Sequence, residues 1–308
     1  PAPPPPRGGP PPRSASQKAL DLAFELLFPL LYSLEPGGLL DSSKNLRVLW
    51  SRALLSAAGE LDDGVAAGLL PGSSRWVVSP ALARTLWRPA LPKLEWIASR
   101  TGWIDGALDG FLERHGGAGA QVVLVGAGYD TRALRYRGSG ADFYEVDLPA
   151  VLPIKEGMAA RFLAANGGGE TVGAKGRALG VDLNEAAMSP PGVFSLLSGL
   201  GLDRARPTLV VCEAVCFYLS PPAKRALLAD AGAFAGGNAG SALVLADSLA
   251  PFVSGTGVEG ARDFLEPLGF GLTQHDSLWG GAIQFVRAEG NGGGGGEREG
   301  AVTGSQGN

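Results

Sequence analysis

The sequence predicts an α/β protein built on a seven-stranded, mostly parallel sheet with helices on both faces. Three observations carry this. Val122-Val123-Leu124-Val125 is an apolar run too short for a helix and rich in β-branched residues, so it reads as a strand buried on both faces. A tight Gly126-Ala127-Gly128 turn follows, then helical spacing from Thr131 to Arg137, then a second strand, Phe143 to Val146, ending on Asp147. Further apolar runs, each closed by an acid, recur downstream with helical stretches between them, as βαβ units require.

The strand, glycine turn, helix, strand and acid form a unit with defined chemistry. Glycine lets the backbone turn sharply and approach a ligand closely, and ligands of open parallel sheets bind beyond the carboxyl ends of the strands. Asp147 lies 21 positions after Gly126, close to the roughly 20 expected for an acid that accepts ribose hydroxyls. The unit therefore points to an adenosine-containing cofactor. A dinucleotide site needs a third glycine, and Thr131 stands in that place. S-adenosylmethionine has no pyrophosphate and needs only Gly126 and Gly128. By itself the G-x-G pattern is also met by an ordinary strand-to-helix turn.

Composition narrows the class. With 45% hydrophobic and 18% charged residues the chain reads as globular, and its net charge of −4 argues against nucleic acid as a default partner. No uninterrupted apolar run reaches the length of a membrane span. The two cysteines, Cys212 and Cys216, have no partner histidines, so neither a disulfide scaffold nor a zinc site is indicated. Buried thiols in a reducing compartment are the expectation.

Taken in order, Pro1 to Ser16 is proline-rich and lacks acids, which predicts a disordered tail; its basic, serine-containing start also matches an organelle transit peptide. In Lys18 to Ser33, Leu20, Phe24, Leu27, Phe28 and Leu31 follow helical spacing, with a kink at Pro29; the helix either packs on the core or caps the substrate side. Leu46 to Leu70 reads as a helix, a turn at Asp62-Asp63-Gly64 and a short helix. Ile104, Leu108, Phe111 and Leu112 make a helical stripe ended by Gly116-Gly117, and Arg100 stands just before it, where residues alone favour a solvent-facing arginine on a loop.

Val151 to Ala165 reads as a helix, followed by a Gly167-Gly168-Gly169 loop. A third strand, Ala178 to Val181, runs into Asp182-Leu183, where Asp182 can cap the next helix. The fourth, Thr208 to Cys212, ends at Glu213, an acid costly to bury unpaired. Ser220 is a suitable N-cap and Pro221 a suitable first residue for a helix to Phe234. The fifth strand, Leu243 to Ala246, ends at Asp247. A helix from Arg262 to Leu268 precedes a closing antiparallel pair, Gly271 to Gln274 and Ile283 to Val286. His115 and His275 read as surface residues, and Glu289 to Asn308 as a glycine-rich disordered tail.

The words VVLVGAGYDTRALRY, FYEVDLPAVLPIKE and TLVVCEAVCFYLSP resemble the leucine carboxyl methyltransferase family over roughly Arg47 to Arg287. The resemblance implies a Rossmann-like class I methyltransferase fold with an N-terminal helical cap. Residues 17–288 would form one domain, 17–115 the cap and cofactor-gripping segment and 116–288 the core. It implies S-adenosyl-L-methionine as cofactor, with Arg52 reaching it and Arg100 gripping its carboxylate. Gly126 and Gly128 would form the turn, Asp147 would hold the ribose, Asp182 and Leu183 would lie beside the adenine, and Glu213 would face the methionine portion. A glycine, Gly64, follows the acid pair where the family usually has proline. The implied reaction is in-line methyl transfer to a carboxylate, either a protein C-terminal leucine or a small carboxylic acid. A carboxylate is ionised at neutral pH and needs no base. For a hydroxyl acceptor Asp247, His275 or Tyr218 would have to serve. No nucleic-acid, membrane or metal partner is expected, the oligomeric state is open, and a cytoplasmic location is expected. Two rival readings are an NAD(P)-dependent oxidoreductase with a degenerate glycine motif and a non-catalytic cofactor-binding module. Retention of Arg100, Gly126, Asp147, Asp182 and Glu213 together speaks against the latter.

Overall fold

The computed structural model describes residues 43–291 except Gly237 and Ala239, together with Lys18 and Leu22. The expected proline-rich tail, most of the Lys18–Ser33 helix and residues 292–308 of the glycine-rich tail lie outside the described residues. Lys18 and Leu22 are helical and exposed.

Seven strands form one sheet in the order β3-β2-β1-β4-β5-β7-β6. They are β1 (Gln121–Val125), β2 (Asp142–Asp147), β3 (Ala178–Gly180), β4 (Thr208–Glu213), β5 (Ala242–Asp247), β6 (Phe270–Leu278) and β7 (Ile283–Gly290). β1 to β5 are mutually parallel where they pair, and β7 runs antiparallel to both β5 and β6. The longer helices are α1 (Ser43–Ala58), α2 (Glu95–His115), α3 (Val151–Ala165), α4 (Val193–Gly199), α5 (Pro221–Ala235) and α6 (Val258–Leu265). The class I methyltransferase architecture expected from the sequence is thus present.

The central strand explains the two faces. Every residue of β1 is buried, and successive side chains point to opposite sides. Val123 and Val125 join Val210, Cys212, Leu243 and Leu245 in a cluster that packs on α4, α5 and α6. Val122 and Leu124 join Leu209, Val211 and Val244 under Ile104, Leu108 and Phe111 of α2. A third cluster centres on Trp50 and Leu54 of α1 and extends to Met158 and Leu163 of α3.

Local signals placed several boundaries. Ser220 accepts from the Ala223 amide and Pro221 opens α5, and Gly116, in the left-handed conformation, ends α2. Other boundaries differ. α2 begins at Glu95, so Arg100 is inside the helix and buried, not on a loop before it. The last helix is α6, followed by a single-turn 3₁₀ segment from Glu266 to Leu268. β6 and β7 are longer than expected, and β7 continues through Gly290, into the segment read as tail. The extended pairing also buries His275, which reads from sequence as a surface residue; its Nε2 lies 2.7 Å from Gln284 Oε1.

Candidate functional site

The strand order reverses between β1 and β4, which is where open α/β sheets form their ligand crevice. A cavity of about 440 Å³ opens there, within the size range of small-molecule sites. Its inner wall combines Arg52 of α1, Arg100 of α2, the Gly126-Ala127-Gly128 turn, Asp130 and Glu213. Gly126 and Gly128 have φ of +64° and +42°, and a Cβ on Gly126 would collide with the side chain of Val215. The turn is therefore glycine-dependent at its first position for both conformation and space.

The wall is part of a network of four arginines and four acids, of which Arg132, Arg135, Asp63 and Asp105 lie off the cavity. Glu213 Oε1 accepts from Arg100 Nε at 2.9 Å, and Oε2 from Arg132 Nη1 at 2.6 Å. Arg132, fully buried, also binds Asp105 at 2.6 Å and Asp130 at 2.5 Å. Arg52 Nε donates to Asp63 at 2.9 Å and its Nη1 lies 3.7 Å from Asp130. Arg135 joins Asp105 to Asp63, at 2.8 and 3.7 Å. Thr131, in the place of a third dinucleotide glycine, donates its hydroxyl to Asp63 at 2.7 Å.

The charges shift one another. Burial favours protonated acids, yet Arg132 and Arg52 hold the Asp130 carboxyl well below the usual range. Against the same burial, Arg132 and Arg100 hold Glu213 low. Burial lowers the Arg100 pKa against the pull of Glu213. For Arg132, three carboxylates outweigh burial and raise its pKa well above the ordinary value. One donor is left over: Arg52 is 2% exposed, and its Nη2 is buried without a hydrogen-bond partner.

Arg52, Arg100, Gly126, Gly128 and Glu213 thus meet on one wall. Three other sequence candidates stand off it. Asp147, at the end of β2, accepts from the Gly128 amide at 2.6 Å and the Leu148 amide at 2.7 Å, bracing the turn from beside the cavity. Asp182 caps the helical turn Leu183–Ala186 by accepting from the Asn184 amide at 2.8 Å, and Leu183 is buried in the core. Glu213 departs from expectation in one respect: both its oxygens are already engaged by arginines.

The base candidates are equally constrained. Asp247 is fully buried and accepts from the amides of Val215, Cys216, Phe217 and Ser248 at 2.6–3.2 Å. It pins the loop after β4, where Ala214 takes a φ of +53°. His275 sits in the β6–β7 hairpin, while Tyr218 is 61% exposed at the cavity mouth. Among the described residues, no histidine, lysine or cysteine lines the cavity, and none form a metal-binding cluster. Sequence reading passed over Asp130 and Arg132, although both lie in the word GAGYDTR; the acid–arginine pair two positions apart was the available signal. Asp63 reads only as part of a turn, and Asp105, Trp96 and Trp279 gave no comparable signal.

Comparison with known proteins adds a lineage. The family model described as Leucine carboxyl methyltransferase matches residues 45–232. A protein of Mycolicibacterium vanbaalenii named "Putative S-adenosyl-L-methionine-dependent methyltransferase" is 34% identical over 136 residues, 44% of this chain and 40% of that protein. The tRNA wybutosine-synthesizing protein 4 of Homo sapiens is 30% identical over 205 residues, 58% of this chain and 26% of that protein. The matched stretches thus span less than half of these relatives. A solved magnesium protoporphyrin IX methyltransferase of Synechocystis PCC 6803 aligns at 13% identity and TM-score 0.39, covering 91% of this chain and 100% of that one, a likeness too loose to add to the fold already described.

Proposed function

The chain belongs to the leucine carboxyl methyltransferase family, and from that premise we propose that it is an S-adenosylmethionine-dependent methyltransferase acting on a carboxylate. The observation that carries the reading is Arg52. It lines the cavity, and its Nη2 is buried with no acceptor. A buried unsatisfied donor is costly, and a ligand carboxylate is the natural partner of a guanidinium.

When bound, S-adenosylmethionine supplies an electrophilic methyl group on a sulfonium. Arg52 and Arg100 would hold its amino-acid carboxylate. Glu213, placed between Arg100 and Arg132, orients Arg100 from behind instead of standing as a lone counter-ion. The Gly126–Gly128 turn would allow close backbone approach. Asp147 would receive the ribose hydroxyls on lone pairs beyond those used by its two backbone amides. Asp182 and the backbone of Leu183 would meet the adenine.

A carboxylate acceptor is the favoured class because the wall offers little base. Its two acids, Asp130 and Glu213, are held low by arginines and accept protons poorly. An ionised carboxylate needs no such help, and positioning with exclusion of water supplies the rate. Calorimetric titration with S-adenosylhomocysteine, with NADH in parallel, tests the cofactor. Saturable binding of the former alone is expected, and binding of NADH alone would sink the proposal. Transfer of labelled methyl to a panel of carboxylic acids and leucine-terminated peptides then tests the acceptor. An ester product releases methanol in alkali, whereas an alkali-stable product would point to another nucleophile.

A further inference from the structure

The mouth of the cavity is aromatic. Trp279, Phe217 and Tyr218 are 59%, 48% and 61% exposed, and all three line this cavity. Trp76 is the one other exposed aromatic side chain among the described residues. Solvent-facing aromatics gathered on one rim mark a binding surface. Trp96 completes the wall, its ring centroid 5.6 Å from that of Trp279 at an interplanar angle of 48°, with the Arg100 guanidinium 4.3 Å from its centroid.

Trp279 is held there by construction. It sits in the β6–β7 turn with a φ of +54°, a conformation rare for a bulky side chain. A Cβ on Gly281 would collide with the carbonyl of Gly255, so this turn lies tight against that loop. Buried Gln284 fastens it, donating to the carbonyls of Gly255 at 3.1 Å and Gly281 at 2.7 Å. The strained tryptophan therefore stands on a braced turn, a preorganised ring face.

We propose that Trp279, Trp96, Phe217 and Tyr218 form an acceptor subsite for a small carboxylic acid with a planar, apolar body, and that Trp279 determines this specificity. The inference rests on the methyl-transfer reading of the inner wall and adds the chemical class of the acceptor. Ring faces favour a flat partner, which stacks on them. An extended peptide would bring one amide per residue to a rim whose exposed side chains are Phe217, Tyr218 and Trp279, and each buried amide would need a partner.

The test uses the full chain and three probes: 2-naphthoate, decanoate and N-acetyl-leucine. Each is titrated with and without S-adenosylhomocysteine, followed by calorimetry and tryptophan fluorescence. 2-Naphthoate should bind tightest and quench fluorescence. Trp279→Ala should weaken it about tenfold, the worth of one good aromatic contact, with S-adenosylhomocysteine affinity unchanged, and Trp279→Phe should restore most of the loss. Phe217→Ala supplies a second variant if Trp279→Ala does not fold. Tighter binding of decanoate or N-acetyl-leucine, or no effect of either alanine variant on naphthoate, overturns the proposal. Naphthoate binding without any S-adenosylhomocysteine binding would uphold the aromatic subsite while sinking the cofactor reading.

Discussion

At the residue scale, the arginines of the inner wall are distinguishable by their bonds. Arg52 spends Nε on Asp63 and keeps Nη2 unpartnered. Asp63 also accepts from Thr131 and the Ala66 amide, so it stays partnered when Arg52 is shortened. Arg52→Ala is therefore expected to weaken S-adenosylhomocysteine binding by about 1.5–3 kcal/mol, the worth of a hydrogen bond to a charged group. Calorimetry checks this, and an affinity unchanged in a folded variant would remove Arg52 from the site. Asp147 needs two variants, because it accepts from the Gly128 amide and its ribose contact is a proposal. Asp147→Ala should lose about 1–3 kcal/mol of cofactor affinity. Asp147→Asn keeps an acceptor for Gly128 and should lose less. Equal losses in both would mean that charge matters more than the brace.

At the element scale, the glycine turn is held from α3. Lys155 donates to the Ala127 carbonyl at 3.3 Å and pairs with Glu145 of β2 at 2.8 Å, both side chains being buried. Burial pushes the Glu145 carboxyl up against the pull of Lys155. Lys155→Met would strand that acid, at about 3–5 kcal/mol of stability by urea unfolding. Adding Glu145→Met should recover most of the loss, since a well-packed apolar pair replaces a buried ion pair at little penalty. A double variant as unstable as the single one would refute this account. The same elements show what was legible in advance. β1, β4 and β5 were readable because strands buried on both faces are continuous apolar runs, β2 because Phe143, Tyr144 and Val146 follow the glycine turn and close on an acid, and α5 because Ser220 and Pro221 mark its start. Arg100 was misplaced because what buries it, Trp96 and the distant Glu213, is invisible to a local pattern. Of the five site candidates on one wall, Gly126, Gly128 and Glu213 met there because strand ends converge at the switch point, while Arg52 and Arg100 are brought in by α1 and α2. The Asp63–Arg52 and Asp105–Arg132 bonds are tertiary and left no trace in spacing.

At the scale of the whole molecule, the charge network joins α1, α2, the β1 turn and the end of β4 into one unit, and its pH response should dominate acid unfolding. Asp130 and Glu213 titrate below their ordinary values of 3.8 and 4.5 in the folded chain. Between those values and the lower folded ones, the unfolded chain binds more protons than the native one. Stability then rises with pH across that window, is fully present above it, and is lost as pH falls through it. Arg132 is the main charge opposing burial at both acids. With Arg132→Met, burial would prevail, both carboxyls would rise, and their contribution would disappear at higher pH. Circular dichroism during acid titration should show the variant unfolding at a higher pH than the wild type. Its stability should also be lower at neutrality, because three carboxylates lose a buried partner. Coincident acid transitions in the two proteins would mean that the network is solvated and does not control the pH limit of the fold.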